Sequence, residues 1–374
     1  MNTIPKIGLL KSTSKPFERR IPIHPSHFIL IDPKIKKHLF VEPDYLGDFG
    51  YSDAFCQEQG IQVEDRNRLL ASADCCFLVR PMPADLMKMK QKAIALGWMH
   101  CVQYQEITEA ALFRDLTLVC MEGLFDDEGK YLFQENSKIT GQQAIRYALN
   151  IADRFDTSQK VAVIGHGSAG VAAIQELLRI GFKDITCFSK RAKSEIKNAI
   201  DDVEYIQIKY GKPNSGTAVH TIGGQPIINL LQHFQIIVNA TTQNIYQPAI
   251  FVHTSDITKL KKGTLIIDIS CDRRMGFEFS QATSLNAPII EHDFMSYCAI
   301  DHLPTLDFDN ATKAISESLI RVILHLFEYL TNGTVSPLIE RAIQIRNGEI
   351  LNPDISYYRK HFLSSSSAKN FEAV

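Results

Sequence analysis

Short apolar runs alternate with stretches of helical periodicity along the chain. Lys6–Leu10 (KIGLL), Leu39–Glu42 (LFVE), Ala73–Arg80 (ADCCFLVR) and Leu116–Met121 (LTLVCM) read as strands, the third buried by its apolar run, and Ala93–His100 ends in another. Pro81 and Pro83 close the third run, because proline cannot donate to a sheet ladder. From Thr140 to Phe155, Ala144, Ile145, Ala148, Leu149, Ile151 and Ala152 recur at helical spacing and predict a long helix. Lys160–Ile164 predicts a strand, Ser168–Ile180 a helix ended by Gly181, and Asp184–Phe188 the next strand. Phe234–Ala240 and Gly263–Ile269 supply later strands, and Asn310–Tyr329 reads as a helix returning to the first domain.

Strand and helix in alternation predict an α/β protein with parallel sheets. The expectation is two Rossmann-like domains with the active site in the cleft between them. Residues 1–139 and 311–374 would form the substrate domain, and 140–310 the dinucleotide-binding domain. The serine run Ser364–Ser367 predicts a mobile end.

Composition changes this picture little. The 374 residues are enough for two cores, and 45% hydrophobic with 22% charged residues is ordinary globular usage. Forty basic against 42 acidic residues give no electrostatic case for a nucleic-acid or acidic-membrane partner. No apolar run reaches the roughly 18–20 residues of a spanning helix. The start lacks the apolar core of a signal peptide, so the expected location is the cytoplasm. The eight cysteines form no Cys-x-x-Cys pair and predict buried, reduced thiols. No metal-ligand spacing is visible.

Gly165-His166-Gly167-Ser168-Ala169-Gly170 lies between a predicted strand and a predicted helix. The first glycine suits a tight turn, the second a close approach of backbone to pyrophosphate, and the third helix–strand packing. The helix amino end adds free N–H groups and a positive dipole end. At the end of the next strand stand Ser189, Lys190 and Arg191, with no carboxylate for a ribose 2′-hydroxyl. Two cations there favour NADP(H), with NAD(H) still open.

Five further segments form a constellation: FERRIPIHP (17–25), LVRPMP (78–83), GWMH (97–100), IIDISCD (266–272) and AIDHLPTL (299–306). With the glycine loop they resemble the alanine dehydrogenase and transhydrogenase family, closest to lysine-forming saccharopine dehydrogenase and carboxyethylornithine synthase. The resemblance spans about positions 6 to 330. It implies an NAD(P)-dependent oxidoreductase acting on a C–N bond. A 2-oxo acid would condense with the side-chain amine of lysine or ornithine, and the imine would be reduced. The alternatives are an alanine-dehydrogenase-type amination with ammonia, or a non-catalytic NADP-binding protein. The expected partners are small-molecule 2-oxo acid and amino-acid substrates, and the chain is compatible with oligomerisation.

The resemblance assigns Arg20 as a substrate carboxylate clamp and His100 as the proton-transfer group. Arg80 stands where relatives carry a lysine. Arginine cannot lose its proton at working pH, so Arg80 would bind substrate or polarise a carbonyl instead. Glu122 would orient an incoming ammonium, and Asp272 would face substrate and nicotinamide. Asp268, Asn239 and the pair Asp301–His302 would line the cofactor groove, with Gly165, Gly167, Ser168, Ala169 and Gly170 at the phosphates.

Overall fold

The computed structural model describes residues 5–11, 13, 15–211 and 219–363; the serine run at 364–367 lies outside them. The chain divides into two compact units, 1–133 with 308–374 and 134–307. The first unit opens with strands β1 (Ile7–Leu10), β2 (Leu39–Val41), β3 (Gln62–Val63), β4 (Cys75–Leu78) and β5 (Ile94–Gly97), helix α1 (Gln105–Phe113), and β6 (Thr117–Cys120). The second holds α2 (Gln134–Ile151), β7 (Val161–Ile164), α3 (Ser168–Ile180), β8 (Ile185–Ser189), β9 (Glu204–Tyr210), β10 (Val219–Thr221) and β11 (Ile236–Asn239). It continues through β12 (Ile250–Val252), β13 (Thr264–Asp268), β14 (Gly276–Phe277), β15 (Ile289–His292) and β16 (Met295–Cys298). The long helix α4 (Phe308–Asn332) then leads back to the first unit, closed by β17 (Ile343–Arg346) and β18 (Glu349–Ile350).

Each unit carries one eight-stranded sheet. The orders are β18-β17-β6-β5-β4-β1-β2-β3 and β10-β9-β8-β7-β11-β13-β16-β15. The central pairs are parallel, and antiparallel strands occur only at the margins. The central strands are apolar on both faces because both faces are covered. Side chains alternate across a strand, so Ile7 and Leu9 enter one core while Leu10 enters the other. In the second unit Val161 and Val163 pack on one side of the sheet, and Ala162 and Ile164 on the other.

Both sheets are doubly wound. From β1 the chain moves through β2 and β3 to one side, then crosses back to β4 on the other. From β7 it moves through β8 and β9, then crosses back to β11. The loops at the carboxyl ends of β1 and β4, and of β7 and β11, therefore diverge and leave a crevice. The second unit begins at Gln134, earlier than the sequence pattern suggested, because Asn136, Gly141 and Gln143 are buried positions that interrupt the apolar stripe of α2. All eight cysteines are free; seven are buried and Cys271 is half-buried.

Candidate active site

At the carboxyl edge of the first sheet, Lys15 follows β1, Arg80 follows β4, Trp98 to His100 follow β5, and Glu122 follows β6. Lys15, Arg80, Met82, Trp98, Tyr104 and Ile107 line a pocket of about 240 Å³. Arg80 is buried, with its guanidinium carbon 5.7 Å from the centre of the Tyr104 ring. The His100 imidazole meets the same ring edge-on at 6.2 Å. Tyr104 thus touches both expected site residues, and its N–H donates to the His100 carbonyl at 2.9 Å.

His100 has φ +48°, a left-handed conformation uncommon for a side chain of its size. Its backbone N–H donates to Glu122 Oε1 at 2.7 Å. Glu122 Oε2 is shielded from solvent without a hydrogen-bond partner. Burial raises the Glu122 carboxyl above its ordinary range, against the pull of its own, the His100 and the Met99 amides and of the Arg80 charge. The structure therefore brings Arg80, His100 and Glu122 together.

Arg20 has a partner within the chain. Its Nε and Nη2 donate to the two oxygens of Glu18 at 2.8 and 2.6 Å, and both side chains are buried. One of the two edges by which a guanidinium can fork onto a carboxylate is engaged by the chain's own acid two residues earlier. Arg20 also lies 5.3 Å from the Trp98 ring, whose Nε1 donates to the Tyr131 hydroxyl at 2.9 Å. Glu18, Lys15 and Tyr104 were not among the residues expected from sequence. Lys15 carried a signal, since it follows the first strand at the winding reversal.

In the second unit the glycine loop has the shape its sequence implies. Gly165 has φ +107°, and a Cβ there would lie 2.7 Å from the Ala240 carbonyl oxygen. A Cβ on Gly170 would lie 2.2 Å from the Gly165 oxygen, whereas one on Gly167 would meet nothing within 4 Å. The first and third glycines permit close packing, and the second leaves open space over its backbone. No side chain caps α3, so the amides of Ser168, Ala169 and Gly170 open its positive end. These features fit a dinucleotide pyrophosphate.

At the end of β8, Ser189 Oγ accepts from the Arg191 N–H at 3.1 Å, and Arg191 Nη2 donates to the His166 carbonyl at 3.0 Å. Arg191 is thereby joined to the glycine loop. Lys190 turns away, with its ammonium 3.8 Å from the Tyr210 ring centre. His166 contacts the Tyr205 hydroxyl at 3.1 Å; burial first and the Arg191 charge second lower its pKa.

Asp268 also has partners within the chain. It is 1% exposed, and its oxygens accept from Asn239, the Cys271 amide, Ser280 and Tyr297 at 2.9, 3.2, 2.8 and 2.7 Å. Its carboxylate is committed to ordering the turn rather than to an open groove. Asn239 is fully buried in the same network, and its Oδ1 accepts from the Thr241 hydroxyl at 2.7 Å. Asp301 and His302 pair at 2.9 Å. Asp272 is half-buried in the turn after β13. Burial, then the charges of Asp268, Asp301 and Asp272, push the Cys271 thiol well up. That places these carboxylates in one neighbourhood. Among the described residues, no three His, Cys, Asp or Glu side chains are arranged to hold a metal ion, and no helix is long and apolar enough to cross a membrane.

The family model described as alanine dehydrogenase/PNT, C-terminal domain, matches residues 155–353. N(5)-(carboxyethyl)ornithine synthase of Lactococcus lactis subsp. lactis is 23% identical over 331 residues, covering 84% of this chain and 93% of that protein. Alanine dehydrogenase 1 of Staphylococcus aureus (strain NCTC 8325 / PS 47) is 18% identical over 317 residues, covering 82% and 84%. A solved L-alanine dehydrogenase superposes with a TM-score of 0.73 at 17% identity, over 95% of this chain and 99% of that one. The chain belongs to the alanine dehydrogenase/PNT family, as an NAD(P)-dependent oxidoreductase built from two Rossmann-like units.

Proposed function

We propose that this protein joins a small 2-oxo acid to the side-chain amine of a diamino acid, ornithine or lysine, using NADPH. The observation that carries the reading is the grouping of Arg80, His100 and Glu122 beside one pocket at the carboxyl edge of the first sheet. Arg80 holds the oxo-acid carboxylate, and the apolar wall of Met82, Trp98 and Ile107 receives its carbon chain. His100 moves protons, with its backbone fixed by Glu122. The shielded Glu122 oxygen receives the incoming ammonium, which supplies the hydrogen bond it lacks.

The similarity to N(5)-(carboxyethyl)ornithine synthase supports this choice of substrates. A carboxyethyl group on a side-chain nitrogen is what remains when the imine of pyruvate and ornithine is reduced. The bound cofactor supplies the hydride. The glycine loop and the α3 amino end hold its pyrophosphate, and Arg191 with Ser189 selects the 2′-phosphate of NADP(H). Asp272, Asp301 and His302 serve the nicotinamide end.

A substrate panel tests the reading. Pyruvate and 2-oxoglutarate are each combined with ornithine, lysine and ammonia, and loss of NADPH or NADH absorbance is followed. The expected result is turnover with a diamino acid and preference for NADPH. Turnover with ammonia alone would make the protein an alanine-dehydrogenase-type enzyme, and no turnover with any pair would reject catalysis of this class.

A further inference from the structure

We propose that Lys15 is a catalytic residue of the same pocket, the amine that exchanges a proton with the substrate nitrogen where Arg80 cannot. The inference rests on reading that pocket as the substrate site.

Three observations carry it. First, Lys15 follows β1 and Arg80 follows β4, so the two cations come from the loops that diverge where the winding of the sheet reverses. Ligands of doubly wound sheets bind at that position. Second, Lys15 is tied into a turn by its own backbone. Its N–H donates to Thr13 Oγ1 at 3.0 Å, its carbonyl accepts from the Glu18 N–H at 3.4 Å, and Phe17 has φ +64°. This one turn places Glu18 on Arg20 and Lys15 on the pocket. Third, the two cations differ in chemistry. A guanidinium stays charged and forks onto a carboxylate, whereas a primary amine can accept and return a proton. The other charged or titratable side chains lining the pocket are Arg80, Tyr104 and Glu106. Glu18 belongs to the Lys15 turn, and His100 reaches the group through Tyr104.

The substrate ammonium first gives up a proton to solvent; the resulting amine attacks the oxo carbon, the C–N bond forms, and the carbonyl electron pair moves to oxygen, which takes a proton from His100. The nitrogen passes its surplus proton to Lys15 Nζ, which enters the step as an amine. Lys15 returns that proton to the hydroxyl as the C–O bond breaks. Water leaves, and the nitrogen lone pair closes a protonated imine. Lys15 ends as it began, His100 regains its proton from solvent, and hydride addition to the imine carbon gives the secondary amine.

The test compares full-length wild type, Lys15→Arg and Lys15→Gln with NADPH. Both variants should lower kcat for condensation by about 10²–10⁴-fold, the usual worth of a proton-transfer group. Lys15→Arg should keep its KM for the oxo acid within about threefold, and one limb of its pH–rate profile should disappear. A preformed cyclic imino acid bypasses condensation, so both variants should reduce it within about threefold of the wild-type rate. Melting curves and NADPH titration establish that the variants are folded. If only one of them folds, the same comparison is made on that one. Wild-type kcat in folded Lys15→Arg or Lys15→Gln, or equal loss on the preformed imine, overturns the role of Lys15. Failure of the wild type itself on every oxo acid–amine pair overturns the reading of the pocket instead.

Discussion

Glu122 and Asp268 are both buried carboxyls raised by desolvation, but their hydrogen bonding separates their roles. Asp268 spends both oxygens on four donors, so it holds the turn after β13. Glu122 has one oxygen on the His100 amide and the other shielded without a partner. A carboxyl raised in the folded state binds more protons there than in the unfolded chain. Its contribution to stability is then greatest at low pH and is lost as pH rises from the unfolded value through the folded one. Glu122→Gln should therefore melt at a higher temperature than wild type near pH 7, with the difference shrinking as pH falls toward 4.5. Its kcat should fall by tenfold or more if the carboxylate receives the ammonium. A lower melting temperature at pH 7 would mean the carboxylate is stabilising, and its role at the site would need another explanation. At this scale the sequence was a partial guide. The motifs of the family resemblance named Arg80, His100 and Glu122, which the structure groups. They could not reveal that Arg20 is engaged by Glu18 or Asp268 by four donors, because those facts depend on side-chain direction.

The glycine loop and α3 were the most legible element. Gly167 and Gly181 bracket a helix whose limits, Ser168–Ile180, match those read from sequence, because a glycine-rich start and a left-handed glycine stop are local signals. Their geometry separates two substitutions. Gly170→Ala should destabilise the fold by at least about 1–3 kcal/mol, the usual cost of overpacking, since its Cβ would press on backbone. Gly167→Val should melt within a few degrees of wild type but bind NADPH at least tenfold more weakly, because the side chain fills the space over the loop. Calorimetric melts and fluorescence titration of NADPH check both; full NADPH affinity in Gly167→Val would place the pyrophosphate elsewhere. The marginal strands were hidden. β3, β14 and β18 have two residues each, and β15 is half-exposed, so their strand character comes from the partner they pair with.

At the scale of the whole chain, each unit repeats one winding scheme and carries its expected chemistry at carboxyl strand ends. The alternation of strand and helix made that scheme readable. What decides the substrate is finer, since relatives named for different reactions match at 18–23% identity over more than four-fifths of the chain. A methylene more or less in a pocket changes binding by only about 1–3 kcal/mol, so a few side chains around Arg80 and Lys15 are enough to select the oxo acid. The most direct measurement of the central claim uses NADPH deuterated at nicotinamide C4, with pyruvate and ornithine, and mass spectrometry of the product. The account predicts a secondary amine carrying one deuterium on the carbon that was the oxo carbon. Deuterated alanine formed only with ammonia, or no deuterated product with either amine, would contradict it.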